Sequence, residues 1–359
     1  MFQIGSISFP DRPVFLAPME DVSDPPFRLI CKRLGADMLY TEFISSGGLA
    51  YGAEGSEMKL DIYDEERPVA IQIFGGDVEQ VREATRVVNT ARPDIVDINF
   101  GCPVKKVVCK DGGAGILRNI PKMQEITAAV VEASDYPVTV KTRLGWDDAS
   151  IRILDVARML EETGVQALAV HARTRSQMYK GDARWAWLRR IREEAGLSIP
   201  LIGNGDATSP ERIEAMFDET GVDAVMVGRG AIGNPWIFRD TKIFRETGEV
   251  PPRPTWEERI RVVAEHLALK CEWLGERKGV LEMRRMYGGY FKGFRGASRL
   301  RSLIMEREQV DDVLELLLNF GEDDANVAVP SGTAIRATAV MARLPRPTRA
   351  RKDSPLPVP

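Results

Sequence analysis

Histidine and cysteine are scarce in this chain: 359 residues carry two histidines and four cysteines, Cys31, Cys102, Cys109 and Cys271. The cysteines lie far apart and form no C-x-x-C pair. That spacing argues against a zinc site and against a disulfide framework, so they read as reduced thiols and no metal is expected. No apolar run approaches the length of a membrane span, so no membrane partner is expected. Residues 1–13 have neither a basic flank nor an apolar leader core, so the expected location is the cytoplasm.

The composition is that of an ordinary globular protein, 44% hydrophobic and 28% charged. The length suits two domains, or one barrel of roughly 250 residues with an appendage. A net charge of −4 hides an asymmetry, because nine Lys and Arg between Arg277 and Arg307 are opposed only by Glu282 and Glu306, a local +7. A basic segment on an acidic protein points to a polyanionic partner, although charge runs are more often solvated helix faces.

Short β-rich runs at 14–17, 37–41, 69–74, 95–98, 138–142, 167–171, 200–203 and 223–228 alternate with helical patterns. This predicts an α/β fold, a (β/α)8 barrel over 1–240, followed by a small all-α domain. A polar, proline-rich stretch with Pro251, Pro252 and Pro254 predicts a linker over 241–255. Helical patterns alone fill 256–320. An acidic start, six prolines and scattered arginines predict a disordered tail over 321–359, with one possible helix at 333–344.

The same place in each βα unit carries a polar residue. Pro18, Met19 and Glu20 follow the first run, Glu42 the second, and Gln72 lies in the third; Asn99 and Cys102 follow the fourth. Lys141 and Arg143 mark the fifth, His171 and Arg173 the sixth, Asn204, Gly205 and Asp206 the seventh, and Gly228 and Arg229 the eighth. In a barrel these converge on one mouth, where the chemistry of the fold is kept. Cys102 alone reads equally well as a small buried hydrophobe. A ring of polar strand ends does not suit a packed core and makes that mouth a functional site. The glycines of the last two loops suit a phosphate approached by backbone N–H groups, with Arg229 adding charge. Residues 228–233 also match G-x-G-x-x-G, but that fingerprint belongs to the first turn of a Rossmann unit.

Ala17-Pro18-Met19, Gln72-Ile73-Phe74-Gly75, Asn99-Phe100-Gly101-Cys102-Pro103, Lys141-Thr142-Arg143, His171-Ala172-Arg173-Thr174-Arg175, Asn204-Gly205-Asp206 and Val227-Gly228-Arg229 together resemble the tRNA-dihydrouridine synthase family, its bacterial B-type above all. The resemblance covers nearly the whole chain up to Phe320. It departs mildly at Glu20-Asp21-Val22-Ser23-Asp24, where many relatives carry Gly-Val-Thr.

The resemblance implies an enzyme that binds FMN, is recharged by NADPH and reduces the C5=C6 bond of specific uridines in tRNA. It places FMN on Pro18, Met19, Glu20, Gln72, Lys141, His171, Asn204, Gly205, Asp206, Gly228 and Arg229. Cys102 suits the proton donor to C5, since an unperturbed thiol near pKa 8.5 is mostly protonated at neutral pH. A nucleophilic thiol would need a base, and His171 already has a cofactor role. Asn99, Arg143 and Arg173 would hold the uracil or its phosphate. Arg175, Lys292, Arg295 and Arg299 would grip a flipped-out RNA strand. Tyr179, Trp185, Tyr287, Tyr290, Phe291 and Phe294 interleave with these cations, but core packing is the stronger reading of the aromatics. A monomer is expected. Two other readings stay open: an FMN barrel acting on a free small molecule, such as a dihydroorotate dehydrogenase or an ene-reductase, or an RNA-binding protein with a vestigial barrel. The basic helical segment argues against the first, and the full polar set at the mouth against the second.

Overall fold

Runs whose residues are buried on both faces set the architecture. The computed structural model describes residues 1–109 and 111–320; the expected tail and its helix at 333–344 lie outside the described residues. Strands β1 (Phe2–Ile4) and β2 (Ile7–Phe9) form an antiparallel hairpin. Then follow β3 (Val14–Leu16), β4 (Leu39–Tyr40), β5 (Ile44–Ser45), β6 (Val69–Phe74), β7 (Ile95–Phe100), β8 (Val138–Arg143), β9 (Ala167–His171), β10 (Leu201–Asn204) and β11 (Ala224–Val227). These nine make one sheet in the order β3-β11-β10-β9-β8-β7-β6-β4, with β5 also on β6, and its ladders are parallel. A parallel bridge between Phe15 and Met38, with Leu16 N–H donating to Met38 O at 2.9 Å, joins β3 back to the β4 side. The result is the eight-stranded parallel barrel with helices around it, as the alternating runs predict.

Helices follow the strands and start where caps dictate. Asp24 accepts from Phe27 N–H ahead of Pro25–Arg33, Asp77 caps Val78–Thr90, and Ser209 caps Pro210–Thr220 with proline in the first turn. Inside the barrel, small residues (Ala70, Ala167, Ala169, Ala224) alternate with large ones (Phe15, Tyr40, Met226) in one buried cluster. That cluster also takes in Ile4 and Phe9 of the hairpin, an element the sequence reading passes over. Gly5, at φ +59°, turns the hairpin against Pro137, just before β8, so it covers the amino ends of the strands.

A buried ion pair fixes the segment leading into β6. The Arg28 guanidinium donates to Glu66 at 2.5 and 3.2 Å, to Ser23 O at 2.9 Å and to Asp61 O at 2.7 Å. Every strong donor and acceptor there is met, which is what a buried pair needs to be tolerated.

The predicted linker requires correction. Ile237–Thr247 is an α-helix, the last of the barrel, so residues 241–247 are not linker, and the chain divides into two compact units differently from the expected cut at 240. Among the described residues, one unit comprises Met1–Gly230 and Ile237–Val250; the other takes Ala231–Trp236 and 251–320. The second unit is helical, with Trp256–Leu274, Glu276–Tyr290, Ala297–Met305 and Val310–Asn319. Gly233 faces Gly289 so closely that a Cβ on either would collide with backbone. Trp236 is buried there, its ring at 6.0 Å from that of Tyr290 and its Nε1–H donating to Glu258 at 3.0 Å. No helix among the described residues is long and apolar enough to cross a membrane.

Candidate active site

The turn after β7 is held by one side chain. Asn99 Oδ1 accepts the N–H groups of Gly101 at 3.0 Å and Cys102 at 2.8 Å. Cys102 O in turn accepts from Ala114 N–H at 2.9 Å. Gly113, at φ +52°, passes so near Cys102 that a Cβ would lie 2.8 Å from its carbonyl oxygen, so only glycine fits there. Cys102 is 8% exposed. Burial pushes its thiol up, against weaker opposing pulls from a backbone N–H, Arg143 and Lys141, which keeps it protonated at neutral pH.

Around this thiol the strand ends gather cations. Lys141 Nζ donates to Asn204 Oδ1 at 3.2 Å, while Asn204 Nδ2 donates to Met226 O at 2.7 Å. Burial, then the charge of Arg143, lowers the Lys141 ammonium to about 8. His171 is pushed well below the usual imidazole range by burial and by Arg143, Lys141, Arg173 and Arg229, so it is neutral at pH 7. Arg229 keeps a half-exposed guanidinium, 3.7 Å from Asp206 and 4.7 Å from the Tyr179 ring centre.

Several residues expected at the ligands also bond within the protein. Gln72 has no exposed surface: its Nε2 donates to Asp97 at 2.5 Å and its Oε1 accepts from Asn99 Nδ2 at 2.8 Å. Asn99 thereby bridges Gln72 and the Cys102 turn. Arg143 donates to Gly101 O at 2.8 Å, Thr174 O at 3.0 Å and Met178 O at 2.9 Å, tying the end of β8 to the loops after β7 and β9. Arg173 forks onto Asp206 at 2.8 and 2.7 Å and also donates to Gly181 O. The Asp206 carboxylate meets Arg173, Arg229 and Ala183 N–H. Glu20 pairs with Lys59 at 2.7 Å, and Lys59 also lies 3.5 Å from Glu42. All of them lie at the strand ends, where the sequence puts them. Their side chains organise the mouth because each buried polar group finds a protein partner first.

Pro18, Met19, Lys141, His171, Gly205, Gly228 and Arg229 remain as lining. The Met19 sulfur lies 3.7 Å from where a Cβ of Gly228 would sit. Gly205, at φ +121°, admits no Cβ, which would meet Ala183 at 2.8 Å and the His171 ring at 3.1 Å. Arg175 stacks on Trp146 at 4.6 Å, and Arg118 does so at 4.5 Å. Trp185 is buried and donates to Gly205 O at 2.9 Å, so it supports a loop instead of meeting RNA. In the helical unit Tyr287, Tyr290 and Phe291 are likewise buried, whereas Lys292, Arg295 and Arg299 are exposed. Tyr179, half-exposed beside His171, Arg143 and Arg229, is the aromatic that stays at the mouth.

The residue that sequence reading missed is Asp97. It sits in an apolar strand and has no exposed surface. Its signal was the carboxylate itself, because a buried charge is rare without dedicated partners.

The dihydrouridine synthase family model matches residues 15–325. The tRNA-dihydrouridine synthase B of Pseudomonas putida is 41% identical over 289 residues, which span 80% of this chain and 85% of that protein. Its namesake from Pseudomonas aeruginosa is 38% identical over 335 residues, 93% and 99% of the two chains. Among solved structures, a morphinone reductase variant in complex with tetrahydroNAD superposes with a TM-score of 0.50 at 16% identity, over 67% of this chain and 89% of that one, a likeness of fold alone. The motifs that ring the mouth thus fall inside a match running from the first barrel strand through the last helix, and the chain belongs to the dihydrouridine synthase family.

Proposed function

We propose that this protein, as a cytoplasmic monomer, reduces the C5=C6 bond of a uridine in tRNA to 5,6-dihydrouridine, with FMN held at the barrel mouth, NADPH as the reductant and Cys102 as the acid at C5. The observation that carries the reading is a thiol kept protonated among the cations of that mouth. The donor set suits FMN. Lys141, Arg143 and His171 are each lowered by burial and then by the cations beside them, and an anionic phosphate would relieve that crowding. The Gly205 and Gly228 loops would bring backbone N–H groups and Arg229 to that phosphate, and Met19 and Lys141 would border the ring. When bound and reduced, FMN supplies the hydride that adds to C6 of the uracil.

Addition at C6 leaves negative charge between C5 and O4 of the uracil. Cys102 Sγ carries the proton that C5 then takes, and burial holds it there until the substrate accepts it. The Asn99 turn and the Arg143 contacts fix the loop carrying the thiol. Neutral His171 offers a donor or an acceptor without adding charge. A uridine in folded tRNA must be turned out of its stack to enter. Arg175 and, on the helical unit, Lys292, Arg295 and Arg299 would hold the flanking phosphates.

Cys102→Ala tests the donor. It should keep FMN and tRNA binding and lose about 100-fold or more of dihydrouridine formation, read by mass spectrometry of the tRNA. Undiminished formation rules out Cys102 as the acid, and purified protein without a flavin spectrum rules out the cofactor.

A further inference from the structure

We propose that Asp97 is a positioning residue for Cys102, acting from β7 across to β6 and back through the amides of Gln72 and Asn99. The inference rests on Cys102 as proton donor, but its geometry is independent of that role.

Both ends of the chain of hydrogen bonds demand the same orientation. At one end the N–H groups of Gly101 and Cys102 require an oxygen, and Asn99 Oδ1 supplies it at 3.0 and 2.8 Å. The Asn99 amide nitrogen then faces Gln72 Oε1 at 2.8 Å, which turns the Gln72 nitrogen toward Asp97 Oδ2 at 2.5 Å. At the other end an ionised carboxylate accepts and never donates. Its second oxygen takes the Thr139 hydroxyl, so Asp97 cannot turn away. An amide free to flip presents either atom, and only its partners decide which. Here a carboxylate on β7, an amide on β6 and an amide at the end of β7 are locked in series, and the last link is the backbone of the thiol's own turn.

Asp97, Gln72 and Asn99 are all buried, so water does not substitute for a missing link at low cost. The charged and titratable groups facing Asp97 are Lys141 on β8 and Tyr40 on β4. Burial pushes the carboxyl up to about 6, which leaves it ionised at neutral pH.

The test is a double-mutant cycle on the holoenzyme with Asp97→Ala, Gln72→Met and the pair. The readouts are kcat and KM for tRNA, and the rate of iodoacetamide alkylation at Cys102 relative to exposed Cys109, by peptide mass spectrometry. Each single variant should raise the Cys102-to-Cys109 ratio and lower kcat, each by about tenfold, with little change in KM. The pair should match Gln72→Met alone, because Asp97 reaches the turn only through Gln72. Asp97→Asn should recover most of what Asp97→Ala loses, since its amide oxygen can face Gln72 while its nitrogen meets the Thr139 hydroxyl. Additive effects in the pair overturn the relay. Should Asp97→Ala not fold, an unchanged ratio in Gln72→Met does the same. A raised ratio beside a fully active Cys102→Ala would sink the proton-donor reading and leave the relay standing.

Discussion

Lys141 and Cys102 make the mouth sensitive to alkaline pH in a defined order. Lys141, lowered to about 8, gives up its proton first; the thiol, pushed up by burial, follows. The proposed mechanism uses both groups, so kcat should fall as pH rises through about 8. Lys141→Arg keeps its charge there and should move that limb upward to the titration of Cys102. A limb that stays in place in Lys141→Arg would show that another group titrates. At this scale the sequence was legible as to which residues meet and illegible as to what each one touches. Arg143 and Arg173 look like substrate ligands in a string of letters, and nothing there shows that their guanidiniums also donate to Gly101, Thr174, Met178 and Asp206. A motif shows that a cation is present at a strand end; whether a carbonyl reaches it first depends on loops that meet only in the fold.

Among elements, the barrel strands announced themselves because each is a short buried run ended by a polar residue. The hairpin β1–β2 did not, since three-residue strands leave no period to detect. Its contribution to the core is nonetheless large. Phe9 is 3% exposed and its ring centre lies 5.0 Å from that of Phe15, inside the cluster that fills the barrel. Phe9→Ala should cost about 3 kcal/mol or more, measured by urea denaturation, and a loss under about 1 kcal/mol would mean that the hairpin is dispensable to the barrel. The helix Ile237–Thr247 reads as linker in the sequence because its polar face outweighs its apolar one. It buries Ile237, Phe238 and Thr241, and Arg245 bonds to Glu214 at 2.7 Å. Propensity does not reveal such a helix where a neighbouring helix supplies the missing face.

For the molecule as a whole, charge is the property that a polyanionic partner reads. The net charge of −4 predicts repulsion, but Lys292, Arg295 and Arg299 are exposed on the helical unit. Replacing all three with alanine should weaken tRNA binding and flatten the plot of log affinity against log salt by about 0.7 to 0.9 for each phosphate no longer neutralised, measured by filter binding across a salt series. An unchanged slope would place the RNA-binding surface on other residues. The helical character of 256–320 was legible in the sequence; that this unit takes in Ala231–Trp236 as well was not, because six residues after a barrel strand carry no mark of the body they pack into.

That visit has a practical meaning. The chain crosses into the helical unit at Ala231, returns at Ile237 and crosses again at Pro251, so no single cut separates the two bodies. A barrel excised at Val250 would carry Gly233 and Trp236 away from Gly289, Tyr290 and Glu258, baring an indole that belongs to another interior. Exchange of helical units between relatives therefore needs two grafts, the short one at 231–236 and the long one, and a graft of the long one alone carries a built-in mismatch.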